Sequence, residues 1–197
     1  MAILIPALPR GTQTNLKLKS TALMLNSSLG GPDQRVSRMG DRWTMEVVCQ
    51  PMRNAQVGPV LTALLDGLSQ KVMARVPQDG WDIGNPGNPT VAVSGQAGSS
   101  ITLTGFTPGY PIRNGQFFSI VANGVRYLHR VRADVTANGS GAANVSILPM
   151  LKVSPPAGSI CEFAEPKIEG FIDGNEQGWS LGFVENVGLT FKINEAA

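Results

Sequence analysis

The chain has 197 residues, of which 42% are hydrophobic and only 15% charged, where roughly 25% charged is usual. It can bury a real core and is not a disordered tail. The formal net charge of +2 is too small to draw nucleic acid by bulk field, and one histidine with two cysteines excludes a multi-histidine metal site and a closed Cys/His zinc site.

Gly 23 and Pro 14 make up nearly a fifth of the chain, which points to many turns and extensive β structure. Residues 1–15 read as an extended arm. Pro6 and Pro9 forbid regular helix, while Ile3, Leu4, Ile5 and Leu8 call for burial on the chain's own surface or on a neighbour's. The arm is too short and too broken for a membrane span and lacks the charged start of a signal peptide. Folding in the cytoplasm without membrane insertion is the expectation.

From residue 16 the pattern alternates, with Leu16 and Leu18 against Lys17 and Lys19, as in a strand with one wet face. Runs at about 34–39 and 42–50 flank Gly40-Asp41 and predict a hairpin. Trp43, Met45, Val47 and Cys49 share one face of its second strand. The period then changes. Val57, Val60, Leu61, Leu64, Leu65 and Leu68 form a helical stripe over about 54–68, with Pro59 placed in the first turn and Asp66-Gly67 at the end. Residues 71–76 suit a short strand, and residues 80–90, rich in Gly, Pro and Asn, suit a loop.

After residue 90 the pattern is purely β. Short strands recur every 8–15 residues to the end of the chain, separated by turns that include Asn123-Gly124 and the 138–141 segment NGSG. The fold expected is mainly β, an antiparallel β-sandwich or barrel with one amphipathic helix. The divisions expected are the arm at 1–15, a hairpin-plus-helix part at 16–78, a barrel-like module at 90–166 and returning C-terminal strands at 167–197.

Motifs that carry chemistry are missing: there is no GxSxG, P-loop, HExxH or CxxC. His129, on a strand face with Tyr127 and Val131, reads as packed and hydrogen-bonded. Cys49 and Cys161 read as buried small hydrophobes. Glu162, Glu165 and Glu169 read as a wet strand edge balanced by Lys167, and Asp79 with Asp82 falls short of a calcium site. Arg126, Arg130 and Arg132 fall at even offsets with Leu128. Their face is open to three uses: solvated surface, pairing at a subunit interface, or proximity to DNA. No catalytic, metal or cofactor site is expected.

Several segments together resemble tail proteins of tailed bacteriophages. They are GQFFSI (115–120), YLHRV (127–131), the 133–141 turn, ILPML (147–151) and Glu165-Pro166, with RVSRMGDRWTMEVVCQPM and a Leu-rich helix upstream. The similarity covers about residues 34–172. The order hairpin, helix, β-module and returning strands is similar to the distal tail protein family. That resemblance implies a non-enzymatic virion protein, assembled in the host cytoplasm, forming a hexameric ring between the tail tube protein and the tail-tip hub protein. DNA would pass through its lumen without specific binding. Ile3, Leu4, Ile5, Leu8, Arg126, Arg130 and Arg132 are then the candidate subunit-interface residues. A tube, terminator or minor tip protein is the alternative within tails. A carbohydrate-binding β-sandwich is the alternative outside the ring, with Trp81, Tyr110, Trp179 and Phe183 as stacking candidates.

Overall fold

The computed structural model describes residues 2–9, 11–26, 30–36, 39–78, 80, 82–181 and 186–196. In chain order the elements are β1 (Ile3–Leu4), β2 (Gln13–Lys19), β3 (Leu23–Leu25), β4 (Gln34–Val36), β5 (Arg42–Arg53), α1 (Asn54–Asp66), β6 (Val72–Arg75), β7 (Gly87–Val91), β8 (Ser100–Phe106), β9 (Pro111–Ile112), β10 (Phe117–Ala122), β11 (Val125–Val131), β12 (Val135–Thr136), β13 (Ala143–Leu148), β14 (Cys161–Glu162), β15 (Lys167–Ile172), β16 (Trp179–Leu181) and β17 (Asn186–Glu195). The chain is mainly β with one helix.

Two larger sheets divide the work. The first runs β1-β6-β15-β17-β5-β2, with β16 also on β17. The second runs β14-β10-β11-β13-β8-β7 and nearly closes into a barrel, pinned by the bridge Thr90↔Ile160 and by Val91 N–H donating to Ser159 O at 2.9 Å. Pro89 sits on the edge strand β7, where a residue without an N–H is tolerated. The barrel enters and leaves the first sheet at one place, since Val76 N–H donates to Pro166 O at 2.8 Å beside the β6–β15 ladder.

In the first sheet, β5 is the long central strand, and its alternation puts Trp43, Met45, Val47 and Cys49 in the core. Residues 34–39 and 42–50 do not form the expected hairpin. β4 pairs with β3, while β5 pairs with β2 and β17. Both strands of that reading exist, but twelve residues of apolar alternation find more partners inside the sheet than a tight turn at Gly40 provides. Ser37 and Arg38 lie outside the described residues.

The helix ends at Asp66, before Leu68; Leu68 and, within the helix, Leu65 are exposed, and the buried stripe is Val57, Val60, Ala63 and Leu64, with Leu61 at its margin. Pro59 lies past the first turn, inside the helix. Gly67 closes it with its N–H on Ala63 O at 3.0 Å, and a Cβ there would come within 2.7 Å of Ile172 Cδ1.

Two cores result. One gathers β5, α1, β6, β15 and β17 with Leu128 from the barrel. The other fills the barrel, where Phe118 stacks on Phe163 at 4.4 Å between ring centres and Phe106 meets Phe163 edge-on at 5.1 Å. Asn123, at φ 52°, and Gly124, at φ 77°, make the tight β10–β11 turn. The 138–141 turn does not join a hairpin pair, because β12 pairs with β9 and β13 pairs with β8 and β11. The loop expected at 80–90 gives way to β7 from Gly87 onward.

Phe118 is fully buried in an aromatic stack, so Phe118→Ala is expected to cost about 3–5 kcal/mol of stability. Urea denaturation followed by tryptophan fluorescence and far-UV circular dichroism measures it.

Candidate functional site: the junction and the exposed hairpin

The two units meet along one side of β11. Its odd-numbered amides face β10, as Val131 N–H donating to Gln116 O shows, so its even-numbered amides face the other way. β13 occupies that other side only at Arg130 and Val131. The amides of Arg126 and Leu128 are left without a strand. Carboxylates from the first sheet take the place of one: Leu128 N–H donates to Glu195 Oε1 at 2.8 Å, and Arg126 N–H donates to Glu169 Oε2 at 3.1 Å.

Glu195 is fully enclosed. Its second oxygen accepts from Trp43 N–H at 3.0 Å and from Lys152 Nζ at 2.8 Å, so one side chain ties β5, β11 and the segment after β13 together. Buried charge is tolerated when it is paired and its lone pairs are filled. Glu162 completes the junction. Arg126 grips it with Nε at 3.1 Å and Nη2 at 3.3 Å, Lys167 Nζ donates at 2.9 Å, and Ser119 Oγ donates at 2.7 Å. Burial pushes the Glu162 carboxyl up, but the donors Arg126, Ser119 and Lys167 outweigh it and hold it below the ordinary carboxylate range. Gln78 adds a neutral clasp, accepting from Phe117 N–H at 2.9 Å and donating to Phe163 O at 3.0 Å. Trp43 meets Phe117 edge-on at 5.3 Å.

The wet-edge reading of the glutamates therefore fails for two of them. Glu169 is buried and Glu162 is largely covered; only Glu165, paired with Arg75 at 3.2 Å, is exposed. Sequence reasoning missed Glu195 altogether. The available signal was a carboxylate in phase with the buried Phe191 and Ile193 on β17.

Of the candidate interface residues, Ile5 is buried in the chain's own core, Ile3 and Leu8 pack against that core, and Leu4 is exposed. Arg126 is held in the junction. Arg130 is exposed, donates from Nε to Gly115 O at 3.3 Å and lies over the Phe117 ring; Arg132 is exposed. Among the stacking candidates, Tyr110 is buried against Phe106 and Trp179 is partly exposed; Trp81 and Phe183 lie outside the described residues, as does Asp79.

His129 is buried and its Nδ1 lies 3.0 Å from Pro149 O, which fixes the proton on that nitrogen. Burial pushes its pKa down to about 4, against the pull of the Pro149 bond and with help from Lys152. Burial likewise pushes the free Cys161 thiol up to about 12, and the free Cys49 thiol up. Cys161 is among the residues lining an open groove of about 390 Å³ between residues 86–90 and 160–167, and His129 borders a small pocket beside Leu151 and Lys152. Among the described residues no group of three or more His, Cys, Asp or Glu is gathered as for a metal ion, and no helix is long and apolar enough to cross a membrane.

The β3–β4 hairpin stands apart from both cores. All six of its strand residues are exposed, including Leu23, Met24, Leu25 and Val36, and Met39 beyond it is 72% exposed. Comparison with protein-family models finds no match, and no curated protein matches the chain.

Two outcomes follow from the buried groups. Glu195→Gln puts an amide among three donors and leaves the Lys152 charge unpaired, so it is expected to cost about 3–5 kcal/mol at pH 7, read by urea denaturation. His129 stays neutral in the fold while the unfolded chain takes up a proton below about 6.5. Its contribution is present above that pH and is lost as pH falls toward 4, a total on the order of 3 kcal/mol. Denaturation midpoints from pH 7 to 4 should drop for the native chain and show a flatter profile for His129→Asn.

Proposed function

We propose that this chain is a non-enzymatic structural subunit of a phage tail, the distal tail protein, which forms a hexameric ring joining the tail tube protein to the tail-tip hub protein. The observation that carries the reading is the β3–β4 hairpin. An isolated two-stranded hairpin is marginal in water, and among the described residues this one leaves Leu23, Met24, Leu25 and Val36 exposed. A ring subunit needs such surface, since each copy must offer its neighbour a contact different from the one it receives. The low charge of the chain and the tail-protein resemblance over about residues 34–172 support the same reading. In this role the chain resides in the virion tail, and its near-neutral balance lets DNA pass through the lumen without being held.

Native mass spectrometry of the full-length chain over a range of concentrations tests it. The expected species has six times the 20.8 kDa chain mass. Leu23→Lys with Leu25→Lys should weaken association by roughly thirtyfold or more, about 2 kcal/mol, with circular dichroism unchanged. Electron microscopy of purified tails should place the chain at the end of the tube with sixfold stoichiometry. A place outside the tail, or another stoichiometry, contradicts the proposal.

A further inference from the structure

Asn-Gly steps occur at 114–115, 123–124 and 138–139. At each, glycine carries no Cβ to keep its nitrogen from the preceding side-chain Cγ. By residue type the three are alike; the fold separates them. At 138–139 the side-chain amide is locked. Asn138 Oδ1 accepts from Ser140 N–H at 3.0 Å, from Ser140 Oγ at 2.8 Å and from Ala142 N–H at 2.8 Å. Turning Cγ toward Gly139 breaks that set. At 114–115 the glycine nitrogen is occupied. Gly115 is buried and its N–H donates to Val131 O at 2.9 Å, while Asn114 N–H donates to Asp134 Oδ1 at 2.7 Å.

The 123–124 step has neither restraint. Both residues are exposed at the tip of β10–β11, beyond the last ladder pair Ala122↔Val125. The Asn123 side chain and the Gly124 N–H have no hydrogen-bond partner among the described residues. A Cβ built on Gly124 would meet nothing within 4 Å, so the space around the step is open. Asn123 is held at φ 52°, a left-handed conformation that is costly for a residue with a side chain. Leaving it relieves that cost, and the end of a hairpin opens at low free energy. The turn can therefore swing the Gly124 nitrogen toward Asn123 Cγ without disturbing the rest of the barrel.

We propose that Asn123 is a site of spontaneous deamidation in the folded protein, through a cyclic imide with Gly124, with water as the only co-reactant. The Gly124 nitrogen gives up its proton to solvent and bonds to Asn123 Cγ. The bond from Cγ to the side-chain nitrogen breaks, and that nitrogen leaves with its protons as ammonia. Water then opens the imide at one carbonyl or the other and leaves aspartate or isoaspartate. In sum, asparagine and water give an acid and ammonia. The product places a carboxylate at the tip of β10–β11. Isoaspartate also adds its Cβ to the main chain, one atom more than a two-residue turn accommodates. The strain falls on Ala122 and Val125, because Arg126 is already held by Glu162 and Glu169.

Incubation of the full-length folded chain in warm, mildly alkaline buffer, with peptide mass spectrometry at intervals, tests the site. The peptide holding Asn123 should gain the mass of an amide-to-acid change first. Conversion at Asn114 and Asn138 should be slower by roughly tenfold or more, since hydrogen bonds must break before either reacts. The same chain unfolded in urea should convert all three at similar rates, which shows that the fold makes the choice. Asn123→Gly keeps the turn and should abolish the early acidic species seen on ion exchange. Asn114 or Asn138 converting as fast as Asn123 in the folded chain overturns the assignment. So does an Asn123 that stays intact when folded while the unfolded chain reacts.

Discussion

Two backbone amides on β11 set the terms for this fold. A strand buried on one edge without a partner strand would leave its N–H groups unsatisfied, at a cost comparable to lost hydrogen bonds. Here the amides of Arg126 and Leu128 are met by Glu169 and Glu195, carboxylates carried by β15 and β17. Those same carboxylates take the positive charges of Arg126 and Lys152. The barrel is thus joined to the first sheet by charge-assisted hydrogen bonds at one strand edge, with Leu128 passing between them into the other core. Removing one partner leaves a buried charge or a buried donor alone, so the junction holds as a set.

The junction also explains how a 90-residue stretch can interrupt a sheet without loosening it. Residues 77–166 leave and return beside the Val76–Pro166 hydrogen bond, which by itself would permit the barrel to swing. Glu195 ties β5 and β11 to Lys152, and Gln78 clasps Phe117 and Phe163. The two units are braced at several points away from the crossover. The β3–β4 hairpin is the opposite case, held at its base with its strand residues exposed among the described residues.

Much of this architecture was legible in the residues. Period-two alternation found β5 and its buried face from Trp43 to Cys49, and the 3.6 period found α1 within two residues at its C-terminal end. Asn123-Gly124 marked the β10–β11 turn because both positions need a left-handed backbone. The burial of His129 and of both cysteines was also expected from their strand settings. Partnership between distant strands was not legible. Nothing local tells β4 that its partner is β3 and not β5, since Gly40-Asp41 looks like a turn in either case. Glu169 and Glu195 were missed for the same reason: their burial is decided by amides on β11, 43 and 67 residues away in sequence. A short polar side chain reads as wet until its long-range donors are known. The surface was legible only as low charge, and of the two destinations open to the arm, Ile5 takes the chain's own core.

Hydrogen–deuterium exchange on the full-length chain, run from dilute to concentrated solution, sets the braced junction against the uncovered hairpin most directly. The amides of Arg126 and Leu128 should exchange slowly at every concentration, because their acceptors lie within the chain. The amides of residues 23–25 and 34–36 should exchange fast in dilute solution and become protected as copies associate. Hairpin amides equally protected, or equally unprotected, across the whole range would contradict the account.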